Sequence, residues 1–254
     1  MTNALLRGDL LPPFDAITPA EIEPAIRELL QTNRSSVAAL EAIAQPSFAT
    51  LVEPLEQLQH RLAKVWSPVG LLNSAQNSDA LRASYNACLP LLTNYYTELG
   101  QSESLNRAYQ FIQRQEGAGL SGEQRQVLEH QLRDFRLGGI GLPADRKERF
   151  RVVSEELSRL QSKFDENVLD STNAWSRTVT DPRELDGLPA AVIEQARVLA
   201  TERGVAGWVL ALQQPTSVAV MSEADSEALR RDFYEAWCTR ASDRGPTAGR
   251  YDNT

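Results

Sequence analysis

The sequence predicts an all-α fold, an irregular bundle of long antiparallel helices with one short β-strand or small hairpin near residues 207–213. Helix-entrance signals, a capping Ser, Thr, Asp or Asn followed by Pro, Glu or Gln, recur almost from end to end. Between them apolar residues step by three and four, the period of a helix with one buried face. Only Gly207–Leu212 is both short and rich in strand formers.

The elements follow in order. Thr18-Pro19-Ala20-Glu21 reads as a capping box with Pro at the first helical position, opening a segment with Ile22, Ala25, Ile26, Leu29 and Leu30 on one face. Leu51–Trp66 repeats the spacing through Leu55, Leu58, Leu62 and Val65, and Ser67-Pro68 is expected to end or kink it. A third run follows Asn77-Ser78-Asp79 and carries Leu81, Tyr85, Cys88, Leu92 and Tyr95, with Pro90 arguing for a kink or break. Ser104 to Gln115 is a shorter amphipathic piece, and Ser121-Gly122-Glu123-Gln124 is a second capping box, leading through Val127, Leu128, Leu132 and Phe135 to a close at Gly138.

The longest helix is predicted from about Pro143 to Asn173. Its Phe150, Val153, Leu157, Leu160 and Phe164 step by three and four like a coiled-coil seam, which calls for an antiparallel partner helix. Further helices fit Pro189–Arg203 and Asp225–Ala241, the latter with Leu229, Phe233, Ala236 and Trp237 on one face. The Gly207–Leu212 strand, stopped by Gln213-Gln214-Pro215, needs a partner for its backbone. That partner is sought in Thr178–Asp186 or outside this chain. No fixed-period repeat supports a solenoid.

Composition narrows function by exclusion. Apolar residues are 42% and charged residues 24% of the 254, ordinary for a folded globular chain. The 26 basic and 34 acidic side chains give a formal charge of −8 with no basic run, so no nucleic-acid partner is expected. Cys88 and Cys238 both fall in helical patterns and read as reduced, buried, small apolar groups. The first nine residues lack the basic and apolar regions of an export signal, and no stretch approaches the ~18 apolar residues of a membrane span, so no membrane partner and a cytoplasmic location are expected.

The chemistry-bearing patterns are sparse. A zinc peptidase site needs two His one helical turn apart with a Glu to activate water. This chain has two His, His60 and His130, neither opening a His-Glu-x-x-His sequence. In Gln126-Val127-Leu128-Glu129-His130 a Gln occupies the place where the inverted motif has its first His. His130 with Asp134, one turn apart, could form a weak metal pair but reads rather as a surface or partly buried helical pair. No Gly-x-Ser-x-Gly elbow occurs. Gly139-Ile140-Gly141-Leu142-Pro143-Ala144 has the form of a dinucleotide loop, but a helical pattern precedes it, which makes it a helix–helix corner. The acid pairs Glu155-Glu156 and Asp165-Glu166 read as a solvated helix face, and Trp66, Trp175, Trp208 and Trp237 as packing groups.

The chain's last residues, Asp252-Asn253-Thr254, are helix-opening types, so the chain is expected to be cut at a helix entrance. The preceding Thr239-Arg240-Ala241-Ser242-Asp243-x-Gly245-Pro246-x-x-Gly249-x-Tyr251-Asp252-Asn253 resembles a segment of the thimet oligopeptidase family of zinc metallopeptidases. Similar runs occur in the same order: the opening Met1-Thr2-Asn3-Ala4-Leu5-Leu6 with Leu11-Pro12-Pro13-Phe14, then Trp66-Ser67-Pro68-Val69, Leu72-Asn73-Ser74, Leu89-Pro90-Leu91-Leu92, Leu132-Arg133-Asp134-Phe135, Gly139–Pro143 and Asn167-Val168-Leu169-Asp170. The native N-terminus is therefore expected to be present.

The resemblance implies an almost wholly helical two-lobed protein whose lobes enclose a channel for short peptides, with zinc held on the catalytic lobe by a His-Glu-x-x-His helix and a later Glu. None of those residues has a counterpart here, so no catalytic or metal residue is assigned and no substrate-binding residue is identified. What the resemblance implies for residues 1–254 is the N-terminal non-catalytic helical region, with a sub-division near 138–143, forming channel wall and lacking a cofactor of its own. One zinc ion belongs to the full-length parent, and the partners are the C-terminal catalytic lobe, short peptides and, through exposed interlobe surface, other copies of the fragment. The alternative is a self-contained helical scaffold that binds a protein partner.

Overall fold

Helix α1 (Pro19–Glu41) starts at the predicted Thr18-Pro19 entrance and buries Ile22, Ala25, Ile26, Leu29 and Leu30, the face its spacing announces. The computed structural model describes residues 3–8 and 11–254, which divide into two compact units meeting in sequence at Leu160 and Gln161. The Met1-Thr2 pair of the family-like opening lies outside the described residues. The Thr18 capping box is incomplete: Thr18 Oγ1 donates to Glu21 Oε2 at 3.0 Å, and its side chain takes no backbone N–H.

The first unit continues with α2 (Glu53–Ala75), α3 (Asp79–Gly100), α4 (Glu103–Glu116) and α5 (Gly122–Leu137). A wide π-type turn, Phe48–Val52, leads into α2 and is closed by a Ser47–Thr50 capping box that the periodicity did not announce. Pro68 does not end α2, which runs seven residues further to Ala75. Leu62, Val65, Pro68 and Val69 are all buried, and at roughly 1.5–3 kcal/mol per buried aliphatic side chain they outweigh the ~3 kcal/mol cost of an interior proline. Pro90 likewise leaves α3 unbroken; it stands on the exposed side, between the buried anchors Cys88 and Leu92.

Two apolar clusters fill this unit. One joins α1, α2 and α3 through residues such as Ile26, Leu62, Val69 and Tyr95. The other joins the π-type turn and α2 to α4 and α5 through Leu51, Leu55, Tyr109 and Phe135, with Tyr109 and Phe135 edge to face at 5.6 Å. The predicted Ser121 box is complete, Gln124 N donating to Ser121 Oγ at 3.2 Å and Ser121 N to Gln124 Oε1 at 3.0 Å.

Helix α6 (Ala144–Ala174) is the long helix expected from about Pro143 to Asn173, and it supplies residues to both units. Its seam departs from expectation. Val153, Leu157, Leu160 and Phe164 are 48–54% exposed, and among the described residues no partner helix covers them.

In the second unit, β1 (Ser176–Val179) pairs antiparallel with β2 (Trp208–Ala211), Ser176 opposite Ala211 and Val179 opposite Trp208. The predicted strand finds its partner in Ser176–Val179, of which only Thr178 and Val179 fall within the expected Thr178–Asp186 stretch; Pro182–Leu185 is a 3-10 turn. Helices α7 (Ala190–Glu202), α8 (Gln214–Glu223) and α9 (Glu227–Cys238) pack with the hairpin around Val179, Leu210, Val220, Leu229 and Phe233. Trp175 meets Phe233 edge-on at 4.9 Å. Helix α8 was not predicted, because its apolar Val218–Met221 are consecutive and form no stripe, and its Gln214-Pro215 opening reads equally as a stop.

Candidate functional site

The two histidines stand far apart in role as well as in sequence. His130, exposed on α5, has its Nε2 2.6 Å from Gln126 Nε2, one turn back, while Asp134 is taken by Arg133 at 2.8 Å. The predicted His130–Asp134 pair is therefore not formed; each residue has a different neighbour. His60 lies exposed on α2, beside Arg61 and Lys64, on the rim of a cavity of about 270 Å³ floored by Leu5, Val65 and Pro68. These residues do not suit a catalytic zinc ion, which takes at least three converging ligands. Among the described residues no group of three or more His, Cys, Asp and Glu side chains comes together in that way.

The Gly139–Ala144 run is a helix–helix corner. It links α5 to α6, with Gly139 at φ +84°, where an added Cβ would run into Leu142 Cδ1 at 2.7 Å. Of the acid pairs, Glu155 and Glu156 are engaged separately by Arg151 and Arg159 along α6. The tryptophans pack as read: Trp66 stacks on Tyr85 at 4.7 Å, Trp175 and Trp208 join the second unit's core, and Arg240 lies 3.6 Å above the Trp237 ring. That half-buried stack holds the Arg240 guanidinium below its ordinary pKa, through desolvation. Cys88 is buried, but Cys238 is exposed, against expectation: Leu229, Phe233 and Ala236 define the inward face of α9, and position 238 falls off it.

A second cavity of about 270 Å³ opens between α7 and β2, lined mainly by Val192, Val198, Leu199 and Val209 with Glu202 at its edge. It brings together no acid–base or nucleophile pair. The most developed polar arrangement lies elsewhere, where residues 241–254 are fastened to the C-terminal half of α6. Ser171, fully buried, accepts from Ala241 N at 3.0 Å and pairs with Thr247 Oγ1 at 2.8 Å. Asn167 donates to the Asp252 carbonyl at 3.0 Å and to Asn253 Oδ1 at 2.8 Å, and Asn253 Nδ2 donates to Phe164 O at 3.2 Å.

At the end of this segment Asp252 Oδ1 accepts from both the hydroxyl and the N–H of Thr254, at 2.7 and 2.8 Å, which holds its carboxyl below the usual range. The sequence named both stretches, Asn167–Asp170 and Thr239–Asn253, without linking them. The available signal was that Asn167 and Ser171 continue the α6 seam by three and four residues as polar groups, which need partners if covered.

The arrangement fastens the C-terminal segment to α6. Residues 26–147 match the family model for the N-terminal domain of neurolysin/thimet oligopeptidase. Over the whole chain the sequence is 39% identical to oligopeptidase A of Haemophilus influenzae, covering 37% of that protein, and 39% identical to oligopeptidase A of Escherichia coli, covering 38% of it. It is also 33% identical to a probable cytosolic oligopeptidase A of Arabidopsis thaliana, again along all of this chain and 36% of the relative. The chain thus spans well under half the length of the relatives it matches. The ordered motifs, the helical fold and these comparisons make the chain similar to the N-terminal portion of oligopeptidase A, with residues 26–147 resembling the N-terminal domain of neurolysin/thimet oligopeptidase.

Proposed function

We propose that this chain is the non-catalytic N-terminal helical region of an oligopeptidase A-like zinc metallopeptidase, forming part of the wall of a channel that admits short peptides. The single observation that carries this reading is the similarity to oligopeptidase A along all of its residues. In it, residues 1–254 shape access and support a catalytic lobe, and the zinc chemistry belongs to residues outside them. The chain's own histidines, exposed on separate helices, do not converge on one ion. The parent would work in the cytoplasm; among the described residues no helix is long and apolar enough to cross a membrane, and one relative is named as cytosolic.

The test is direct. The 254-residue chain, incubated with zinc and a short quenched-fluorescent peptide, is expected to show no turnover above a zinc-free blank. The polypeptide encoded by the same reading frame continued past codon 254 is expected to contain a His-Glu-x-x-His sequence and to cleave the peptide. Turnover by the shorter chain, or a longer product without that sequence, would overturn the proposal.

A further inference from the structure

The last residue of α7 is a carboxylate set against the helix's own field. The carbonyls at a helix C-terminus carry its negative end, where a cation is stabilising and an anion is not. Glu202 stands there with no basic residue in the last turn. The other acid of α7, Glu194, is held by Arg197 at 2.6 Å. Glu202 forms no ion pair or side-chain hydrogen bond among the described residues, and the adjacent Arg203 turns its guanidinium to Ser176 Oγ, at 2.8 Å.

This carboxylate lies on the rim of the cavity between α7 and β2. Val192, Gln195, Leu199 and Glu202 recur at three, four and three residues, so they share one face of α7, and across from them stands Val209 of β2. The wall is therefore aliphatic, while two exposed amides, Gln195 and Gln213, stand at the mouth, and no basic side chain is among the lining residues. At about 270 Å³ the space falls just below the roughly 300–1,000 Å³ of pockets that hold drug-sized ligands. It suits one amino-acid residue and not a longer segment.

We infer that this cavity binds the N-terminal residue of a short peptide, Glu202 pairing with the α-ammonium group and Val192, Leu199 and Val209 taking an aliphatic side chain. Each part of that ligand answers a feature of the site. The ammonium group supplies the positive charge that Glu202 and the end of α7 both lack. The aliphatic group and the cavity wall withdraw apolar surface from water together. Gln195 and Gln213 each offer a donor and an acceptor, which fit the first peptide group beyond the ammonium, whereas a simple alkylamine uses neither. An anionic ligand meets no cation here and is repelled by Glu202. The choice of a free peptide as the occupant rests on the oligopeptidase reading; the charge and shape of the cavity do not.

The experiment follows the backbone amide resonances of residues 192–202 and 209–211 in the isotope-labelled 254-residue chain. Leucinamide is expected to shift them saturably. N-acetyl-leucinamide, which lacks the charge, is expected to bind about two- to fivefold more weakly, and leucinamide should lose the same factor on Glu202→Gln, the range an exposed ion pair supplies. Glu202→Gln should withstand at least as much urea as the unsubstituted chain, because it removes a charge from the negative end of α7, so weaker binding there is not a loss of fold. Equal binding of the acetylated compound, or of leucinamide to Glu202→Gln, would overturn the ammonium site, and isopentylamine binding as tightly as leucinamide would overturn the peptide assignment. No turnover is read. Absence of leucinamide binding therefore overturns this site and leaves the peptidase reading to its own test, and binding with the expected selectivity sustains the site whatever that test returns.

Discussion

Asn167 and Asn253, 86 residues apart, are joined by a 2.8 Å hydrogen bond from Nδ2 to Oδ1, and the same amide nitrogen donates to the Asp252 carbonyl at 3.0 Å. Both protons of one buried amide group are thereby used to fix the direction in which the chain leaves α9. Ser171, one turn further along α6, fastens Ala241 and Thr247 in the same manner. Held at both points, residues 241–254 follow α6 although most of their side chains are exposed or half-buried.

Asn167→Ala removes both donors and strands the Asp252 carbonyl, at a cost of about 1–3 kcal/mol. Asn167→Asp is expected to do no better, because a carboxylate would then face two oxygens. Amide hydrogen exchange across residues 241–254 should speed up in either variant while α1–α3 stay protected. Unchanged exchange in 241–254 would show that this amide does not hold the segment.

Much of the fold was legible because helix ends and faces are written locally. Ser121, Gln124 and Gly138 bound α5 by hydrogen bonds a few residues long, and the spacing of Ile22, Ala25, Ile26, Leu29 and Leu30 fixes which side of α1 is buried. What was misread depended on distant neighbours. Pro68 is tolerated because Val69 and Leu62 are buried around it, and the partner of β2 is set by pairing across about thirty residues. Cys238 shares a helical pattern with Phe233 but falls outside the angle that α9 turns inward. The α6 seam was read correctly as lying on a helix, yet among the described residues no partner helix covers Val153, Leu157, Leu160 and Phe164.

Two glycines beside the hairpin separate backbone conformation from crowding. Gly204, at φ +67°, has open space where a Cβ would stand, whereas Gly207, at φ +91°, would drive a Cβ into the Val179 carbonyl and to 3.3 Å from Thr180 Cα. Gly204→Ala should cost about 1–2 kcal/mol, the penalty of a left-handed conformation for a residue with a side chain. Gly207→Ala adds a clash with backbone, typically worth another 1–3 kcal/mol, for a total of roughly 2–5 kcal/mol. Urea unfolding followed by tryptophan emission should show that order; equal losses would mean that the Val179 strand end yields freely.

The cysteines predict a dependence on pH. Burial, with a smaller contribution from the Glu23 charge, pushes the Cys88 thiol from 9.0 up to about 11 in the folded chain. A raised folded value stabilises the protein fully below the unfolded value, and that stability is lost as pH rises through the folded one. Unfolding free energy should therefore fall between about pH 9 and pH 11. Burial raises Tyr95, Tyr96 and Tyr109 as well, which extends the loss above pH 10. The readout is accordingly a difference: Cys88→Ala should flatten the first part of the slope and leave the tyrosine part unchanged. A thiol reagent at neutral pH should modify the exposed Cys238 in the native chain and reach Cys88 only as the helices α1–α3 open. Rapid native-state modification of Cys88, or an identical slope in the variant, would contradict its burial against Glu23 and the α1 core.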